Sequence, residues 1–179
     1  MDAMQQLYQQ LILEHAKKPL GRVEPGGIGA PVIVVGQENA AASGAGRAEN
    51  AKCCGVSHQV NPTCGDEITL RATVEDGRVV EVLWEGQGCS ISQASASVMT
   101  ELVTGEPQRT ATELNGLFHE LMKSRGKGLP EEQEELLGDA VAFTGVSHYP
   151  ARIKCALLGW EALKDAMAKA TSAMNGWSG

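Results

Sequence analysis

Three of the five cysteines stand in short motifs whose residue types suit metal binding. Cys64 is followed by Gly65 and Asp66, and residues two apart on an extended chain point to the same side, so the thiol and the carboxylate can reach one ion. Gly65 lets the backbone bend close to that ion. Cys89 directly precedes a predicted helix, and a helix N-terminus favours negative charge, so Cys89 should be a better thiolate than a free cysteine.

The third thiol, Cys155, lies in the second turn of the predicted last helix. At helical spacing it is roughly 120° away from the centre of the main apolar stripe of that helix. The face that Cys155 shares carries mostly small residues, as if another part of the structure approaches there. The stripe consists of Ile153, Leu157, Trp160, Leu163 and Met167, and the second face of Leu158, Ala162 and Ala166.

Together these motifs predict one metal site. Three thiolates and one carboxylate form a tetrahedral donor set for zinc, and sulfur-rich ligation also suits iron–sulfur chemistry. The long spacing between the cysteines is weaker evidence than paired Cys-x-x-Cys motifs, so buried, inert cysteines remain the alternative interpretation at this point. The predicted ligands are Cys64, Asp66, Cys89 and Cys155.

The remaining thiols and a nearby histidine are interpreted more simply. Cys53 and Cys54 are adjacent in a predicted loop, and adjacent side chains of an extended chain point apart, so both are not expected to bind one ion. We interpret them as incidental thiols, with a redox or accessory metal role as the alternative. His58 is interpreted as a solvated loop histidine.

Hydrophobic periodicity predicts the elements that position these residues. Helices are expected from about 4 to the stop at 19–21, over 91–102 and 111–124, briefly at 130–137, and from 150 to about 173. Thr110 and Glu113 are spaced as a capping box for the third of these helices. Short strands are expected at 32–35, 68–74 and 79–84, the last two joined by Asp76-Gly77, a strong hairpin signal.

This element order predicts the fold class and the domain organisation. Residues 1–179 are expected to form one α+β domain, with a small antiparallel sheet of about three strands packed against several helices. The Gly- and Ala-rich stretch at about 36–57 is expected to be a flexible insert.

Composition excludes several classes of function. The net charge of −7 argues against nucleic-acid binding, and no apolar run approaches the length of a membrane span. The first residues do not resemble a signal peptide, so the expected location is the cytoplasm, where thiols stay reduced. The odd number of cysteines agrees with ligands rather than a disulfide framework.

Three cysteine-containing segments are distinctive: residues 61–66 read Asn-Pro-Thr-Cys-Gly-Asp, residues 85–97 contain Gly-Gln-Gly-Cys-Ser, and residues 150–156 read Pro-Ala-Arg-Ile-Lys-Cys-Ala. They closely resemble the motifs of the IscU/NifU-type iron–sulfur cluster assembly family, and within it the SufU branch. The long segment between Cys89 and Cys155 and the lysine at 154, where IscU-type scaffolds have histidine, are similar to SufU proteins. The end of the first helix, around His15, departs from the usual family pattern.

The resemblance implies a SufU/IscU-like fold and a function. It implies a zinc-dependent sulfurtransferase that holds Zn²⁺ through Cys64, Asp66, Cys89 and Cys155. Such a protein accepts persulfide sulfur on Cys64 from a SufS-type cysteine desulfurase and passes it to a separate SUF scaffold complex. Arg152, three residues before Cys155, lies on nearly the same helix side and is expected to stabilise thiolate charge or to contact the partner.

Two rival readings use the same residues. In the first, the chain is itself a scaffold on which an iron–sulfur cluster is assembled, with Asp66 as a labile ligand. In the second, zinc is purely structural. Lys154 favours transfer over the scaffold, because lysine is a poor cluster ligand where histidine could serve.

Overall fold

The structure, a computed structural model, describes residues 2–29 and 52–176. Within these ranges the chain forms five α-helices, three strands and one long 3-10 helix. In chain order they are α1 (Ala3–Lys17), β1 (Lys52–Asn61), β2 (Asp66–Glu75), β3 (Arg78–Gln87), α2 (Ser90–Val103), α3 (Gln108–Lys123), α4 (Glu131–Leu137), the 3-10 helix (Gly138–His148) and α5 (Pro150–Asn175).

The three strands form one antiparallel sheet in the order β1-β2-β3. Leu70, at the centre of β2, pairs with Ser57 on one side and with Trp84 on the other. The β2–β3 hairpin turns at Asp76 and Gly77, whose φ angles of 50° and 75° are both left-handed. Two left-handed residues form the tight turn that follows the twist of paired strands, which explains the Asp-Gly pair and confirms the predicted hairpin.

The first strand lies where the sequence predicted part of a flexible insert. Residues 52–57 belong to β1 and pair with β2 from Glu75 onward, so the expected insert at about 36–57 ends earlier than predicted. Its remaining part, 36–51, and the strand predicted at 32–35 lie outside the described residues. The prediction failed because β1 contains Gly55 and polar residues and so lacks the apolar alternation of a typical strand. Its inward side packs against small side chains of α5, which does not require large apolar residues.

Helix α5 packs directly on β1 and β2, and this packing explains its face of small residues. A Cβ on Gly55 would overlap the carbonyl oxygen of Ala166, so strand and helix backbones touch at this point. Ala162, Ala166 and Ala170 are fully buried. The part of the structure that approaches the second face of α5 is therefore the sheet, and Cys155 lies about three turns before Ala166, the residue that meets Gly55.

A second layer of helices closes the core on the other side of α5. Trp160 stacks on Phe118 of α3 with ring centroids 4.5 Å apart, and Phe143 of the 3-10 helix meets the same Phe118 edge-on. Trp84 is buried and its indole N–H donates to the carbonyl of Leu20. The predicted core positions of Trp84 and Trp160 are confirmed.

Two local predictions need correction. Helix α3 begins at Gln108, after Pro107, so Thr110 and Glu113 lie inside the helix and do not form a capping box; Glu113 pairs with Arg109 instead. The 3-10 helix at Gly138–His148 was not predicted, because its apolar residues do not follow the spacing of an α-helix.

The predicted class, an α+β domain with a three-stranded antiparallel sheet and several helices, is confirmed. Within the described ranges, none of the helices combines the length and the apolar character that crossing a membrane requires.

Candidate metal centre

The turn between β1 and β2 presents Cys64 to solvent. The backbone N–H of Gly65 donates to the carbonyl of Asn61 at 2.9 Å, which closes a five-residue turn. Gly65 has a φ of 72°, a conformation that other residues adopt at a cost, so the glycine in this motif serves the turn. Cys64 is exposed, whereas Cys155 is buried and Cys89 is intermediate.

Asp66, the first residue of β2, is 4% exposed. Its Oδ1 accepts the backbone N–H of Cys89 at 3.2 Å, which ties the start of β2 to the start of α2. Its Oδ2 is buried and has no hydrogen-bond partner among the described residues. A buried carboxylate oxygen without a partner is costly, so this atom points to a ligand that completes the site.

Cys89 occupies the N-cap position of α2, as the sequence predicted. Ser92 donates through its hydroxyl to the carbonyl of Cys89 at 3.0 Å, and Gln93 donates to the carbonyl of Gly88 at 2.8 Å. A Cβ on Gly88 would overlap the hydroxyl of Ser92, so a larger residue here would displace the Ser92 hydroxyl from its contact with Cys89. These contacts hold the loop that carries Cys89 next to Asp66.

Cys155 is 1% exposed, in the second turn of α5. Its Sγ lies 3.4 Å from the Sγ of Cys64 and 3.7 Å from the carbonyl oxygen of Ala151. Burial raises the pKa of the Cys155 thiol well above its usual value, and the hydrogen bond with Cys64 and the nearby Asp66 carboxylate raise it further. Without a cation, this thiol keeps its proton at neutral pH.

The structure brings together three of the four predicted ligands. One donor atom each from Cys64, Asp66 and Cys155 lies within 4.8 Å of the other two. Cys89 lies beside this group: its backbone N–H donates to Asp66, and Cys89 is among the neighbours that raise the pKa of Cys155. Thiolates and one carboxylate are a donor set that zinc accepts, and the partnerless Oδ2 of Asp66 fits such a group.

The predicted site lacked one residue, Asn61, which is 4% exposed at the end of β1. Its side-chain oxygen accepts the N–H of Thr63 at 3.2 Å, and its amide nitrogen lies 3.8 Å from the Sγ of Cys155. Asn61 therefore touches both the Cys64 turn and the buried thiol. The contact with Thr63 could have been predicted from the sequence, because asparagine often accepts the N–H of the residue two positions later in an Asx turn. The contact with Cys155 depends on tertiary packing and has no such signal.

The other predicted residues lie apart from the cluster or at its edge. Arg152 and Lys154 are exposed in the first turns of α5, and neither side chain forms an ion pair within 4.0 Å in the described ranges. His58 is exposed, as predicted, but it lies on β1 opposite Thr69 rather than in a loop. Cys53 and Cys54 lie on β1 rather than in a loop.

As predicted, the side chains of Cys53 and Cys54 point to opposite sides of the strand. Cys53 is 3% exposed and packs with Val74 and Ala170, whereas Cys54 lies 3.4 Å from the hydroxyl of Thr73. Burial raises the pKa of Cys53. Neither thiol reaches the cluster of Cys64, Asp66 and Cys155.

Comparison with known proteins identifies the family. The model of the NifU-like N-terminal domain matches residues 32–156. The chain belongs to this family. The resemblance that the three cysteine motifs indicated is thereby confirmed.

Relatives in the NifU-like family differ in how much of this chain they match. The protein named zinc-dependent sulfurtransferase SufU of Bacillus subtilis (strain 168) is 37% identical over 163 residues, which are 91% of this chain and 90% of that protein. The protein named iron–sulfur cluster assembly scaffold protein IscU of Thermotoga maritima is 44% identical over 110 residues, which are 61% of this chain and 73% of that protein. The similarity to the first thus extends along nearly the whole chain.

Solved structures of family members share the fold. A putative iron–sulfur cluster assembly scaffold protein for the SUF system from Fervidobacterium islandicum AW-1 is 31% identical, with a TM-score of 0.64 over 90% of this chain and 97% of that one. A nitrogen-fixing NifU-like protein (N-terminal) from Brucella abortus is 20% identical with a TM-score of 0.67 over 96% of this chain and 99% of that one, a similarity of fold alone.

Proposed function

We propose that this protein is a zinc-dependent sulfurtransferase of iron–sulfur cluster assembly, which accepts sulfur from the persulfide of a SufS-type cysteine desulfurase. The observation that carries the proposal is an exposed thiol, Cys64, 3.4 Å from a buried thiol, Cys155, beside a carboxylate oxygen that has no hydrogen-bond partner among the described residues. The proposal is supported by the 91% of the chain that aligns with a protein named a zinc-dependent sulfurtransferase, against 61% for a protein named a scaffold.

The zinc ligands in this proposal are Cys64, Asp66, Cys89 and Cys155. Zinc would keep their thiolates deprotonated without oxidising them, because it has no redox chemistry. The fold gives two of these thiols different roles, because it buries one and exposes the other. Cys155 is buried and suited to permanent ligation, whereas Cys64 lies on an exposed turn, where a partner's persulfide can reach it.

Sulfur transfer then needs one exchange reaction at Cys64. Its thiolate sulfur attacks the outer sulfur of the desulfurase persulfide. A new S–S bond forms on Cys64 while the S–S bond of the desulfurase breaks, and the desulfurase cysteine leaves as a thiolate. One thiolate is consumed and one is released, so no external oxidant or reductant is needed.

Arg152 is proposed as the residue that favours this step electrostatically. It is exposed in the first turn of α5, three residues before Cys155. A guanidinium there attracts an incoming persulfide anion or pairs with an acid of the partner. From Cys64 the sulfur would pass to a SUF scaffold complex.

Metal content separates this proposal from its rival. Protein purified without added metal should contain one zinc per chain and show no visible colour. Iron with acid-labile sulfide and a brown colour would identify a scaffold on which a cluster is assembled, and the transfer mechanism would have to be abandoned.

Transfer itself is tested with a SufS-type desulfurase and ³⁵S-labelled cysteine. We expect label on the wild-type protein and faster desulfurase turnover, and we expect both to vanish in Cys64→Ala. Cys54→Ala is the matched control, because it removes a thiol outside the cluster. Arg152→Ala should bind zinc normally and accept label more slowly. Unchanged labelling of Cys64→Ala would rule out the assigned role.

A further inference from the structure

A second group of potential metal ligands lies away from the thiolates, where three elements meet. His15 is in the last turn of α1, Glu101 is in the last turn of α2, and Asp139 is the second residue of the 3-10 helix. One donor atom from each lies within 4.8 Å of the other two. The three residues are far apart in the chain, so their convergence is a product of the fold.

The imidazole of His15 is held in one orientation by its environment. Its Nδ1 lies 2.7 Å from the hydroxyl of Ser97, which also accepts the backbone N–H of Leu20 at 2.8 Å. Ser97 is fully buried, and the His15 side chain is 14% exposed. When Nδ1 carries the proton and donates to Ser97, the free lone pair of Nε2 faces the carboxylates. This backing of a histidine by a hydrogen bond is typical of metal ligands.

The second nitrogen of His15 has room for a cation. The distance from Nε2 to Oε2 of Glu101 is 3.7 Å, which is longer than a hydrogen bond and comparable to the separation of two atoms that ligate one ion. Glu101 and Asp139 form no ion pair with a lysine or arginine within 4.0 Å in the described ranges, although Lys17 and Lys18 follow His15 in the chain.

The electrostatic potential at this cluster also favours a bound cation. The carboxyl ends of α1 and α2 both lie near the cluster, and each carries partial negative charge from its unpaired carbonyl groups. Two carboxylates add to this potential. A lone proton on His15 offsets only one of these charges, whereas a divalent cation offsets both carboxylates.

We propose that His15, Glu101 and Asp139 form a second metal site, selective for a divalent cation that accepts nitrogen and oxygen ligands. The site differs in chemistry from the thiolate cluster, because imidazole and carboxylates suit harder ions than thiolates do. A cation there would join the end of α1 to α2 and to the 3-10 helix, and would hold α1 against the rest of the domain. The proposal is independent of sulfur transfer.

Manganese is the probe that separates the two sites. Mn²⁺ binds weakly to thiolates compared with zinc, so in the zinc-loaded protein it should leave the cysteine cluster alone. Free Mn²⁺ gives a six-line EPR signal that is lost on binding. Titration of the zinc-loaded wild-type protein should show one saturable Mn²⁺ site per chain.

Two conservative variants and one control test the ligands. Glu101→Gln and Asp139→Asn keep the side-chain shape and should weaken Mn²⁺ binding by about tenfold or more. Glu14→Gln removes the same charge one residue before His15, from a side chain that contacts Gln10 instead, and should bind Mn²⁺ as the wild type does. If Mn²⁺ binding is weakened equally in all three variants, the ion is attracted by a diffuse negative surface and the proposal is overturned. The proposal is also overturned if the wild-type protein does not bind Mn²⁺.

Thermal unfolding provides a readout other than binding. Mn²⁺ should raise the Tm of the zinc-loaded wild-type protein and of Glu14→Gln, because a ligand bound only by the folded state stabilises it. At the same Mn²⁺ concentration it should raise the Tm of Asp139→Asn clearly less. A similar rise in Asp139→Asn would place the ion elsewhere and would contradict the assignment, whether or not the thiolate site transfers sulfur.

Discussion

The amide nitrogen of Asn61 lies 3.8 Å from the sulfur of Cys155, and this contact joins the end of β1 to the second turn of α5. The same side chain accepts the N–H of Thr63 in the turn that carries Cys64. Asn61 therefore links the exposed thiol and the buried thiol of the cluster, although it is itself no ligand. Residues that orient metal ligands in this way affect metal affinity.

Asn61→Asp should weaken zinc binding by about tenfold to a hundredfold. Aspartate keeps the oxygen that accepts the N–H of Thr63, but it replaces the N–H donor towards Cys155 with an oxygen. Competition with a chromophoric chelator measures the affinity, and His58→Ala, an exposed change on the same strand, is the control. Wild-type affinity in Asn61→Asp would show that the contact with Cys155 has no bearing on the metal.

Asp66→Asn should have opposite effects on the metal-free and zinc-loaded proteins. The metal-free protein should gain about 1 kcal/mol or more in its free energy of unfolding, because a buried carboxylate oxygen without a partner is replaced by a neutral group. The zinc-loaded protein should lose stability, because a ligand is lost. Urea unfolding with and without zinc measures both effects. Asp76→Asn, in the exposed hairpin turn, should change neither. If Asp66→Asn binds zinc as tightly as Asp76→Asn, the carboxylate is not a ligand.

Zinc affinity should fall as the pH falls. Burial, followed by the hydrogen bond with Cys64 and the nearby Asp66 carboxylate, raises the pKa of Cys155, so the metal-free protein keeps this thiol protonated at neutral pH. Zinc must displace that proton, and each displaced proton makes the apparent affinity change about tenfold per pH unit below the thiol pKa. Because the pKa is raised, the dependence should persist above pH 8.

The pH dependence is measured by chelator competition at several pH values. Cys155→Ser removes one of the titrating thiols, so its affinity should be lower and should depend less steeply on pH. Affinity that is constant between about pH 6 and 8 would contradict displacement of a thiol proton.

Gly55→Ala should destabilise the fold at the contact between β1 and α5. A Cβ at this position would overlap the carbonyl oxygen of Ala166, and backbone atoms cannot move aside cheaply, so we expect a loss of about 3 kcal/mol in the free energy of unfolding. Gly116→Ala is the matched control, because a Cβ there meets no atom of the described residues within 4 Å. It should gain up to about 1 kcal/mol, since alanine favours the interior of a helix such as α3. Equal stability of the two variants would show that β1 and α5 can separate at little cost.

Local chemistry made much of the site predictable from the sequence. Asp76-Gly77 specifies a tight hairpin, and Pro150 opens α5, because the conformations that these residues allow depend on the residues themselves. The spacing of Cys64 and Asp66 and the position of Cys89 before a helix likewise depend on neighbours in the chain. These patterns identify the donor types and their elements.

Tertiary packing decided what these local patterns leave open. Cys64 and Cys155 are 91 positions apart in the chain, and their 3.4 Å approach exists because α5 lies on β1 at Gly55. The sequence by itself determined which residues can bind a metal and on which elements they lie. The tertiary structure alone decided that β1 includes Cys53, that Asn61 reaches Cys155, and that His15 meets Asp139, because such contacts depend on how close whole elements approach rather than on the conformation of any one residue.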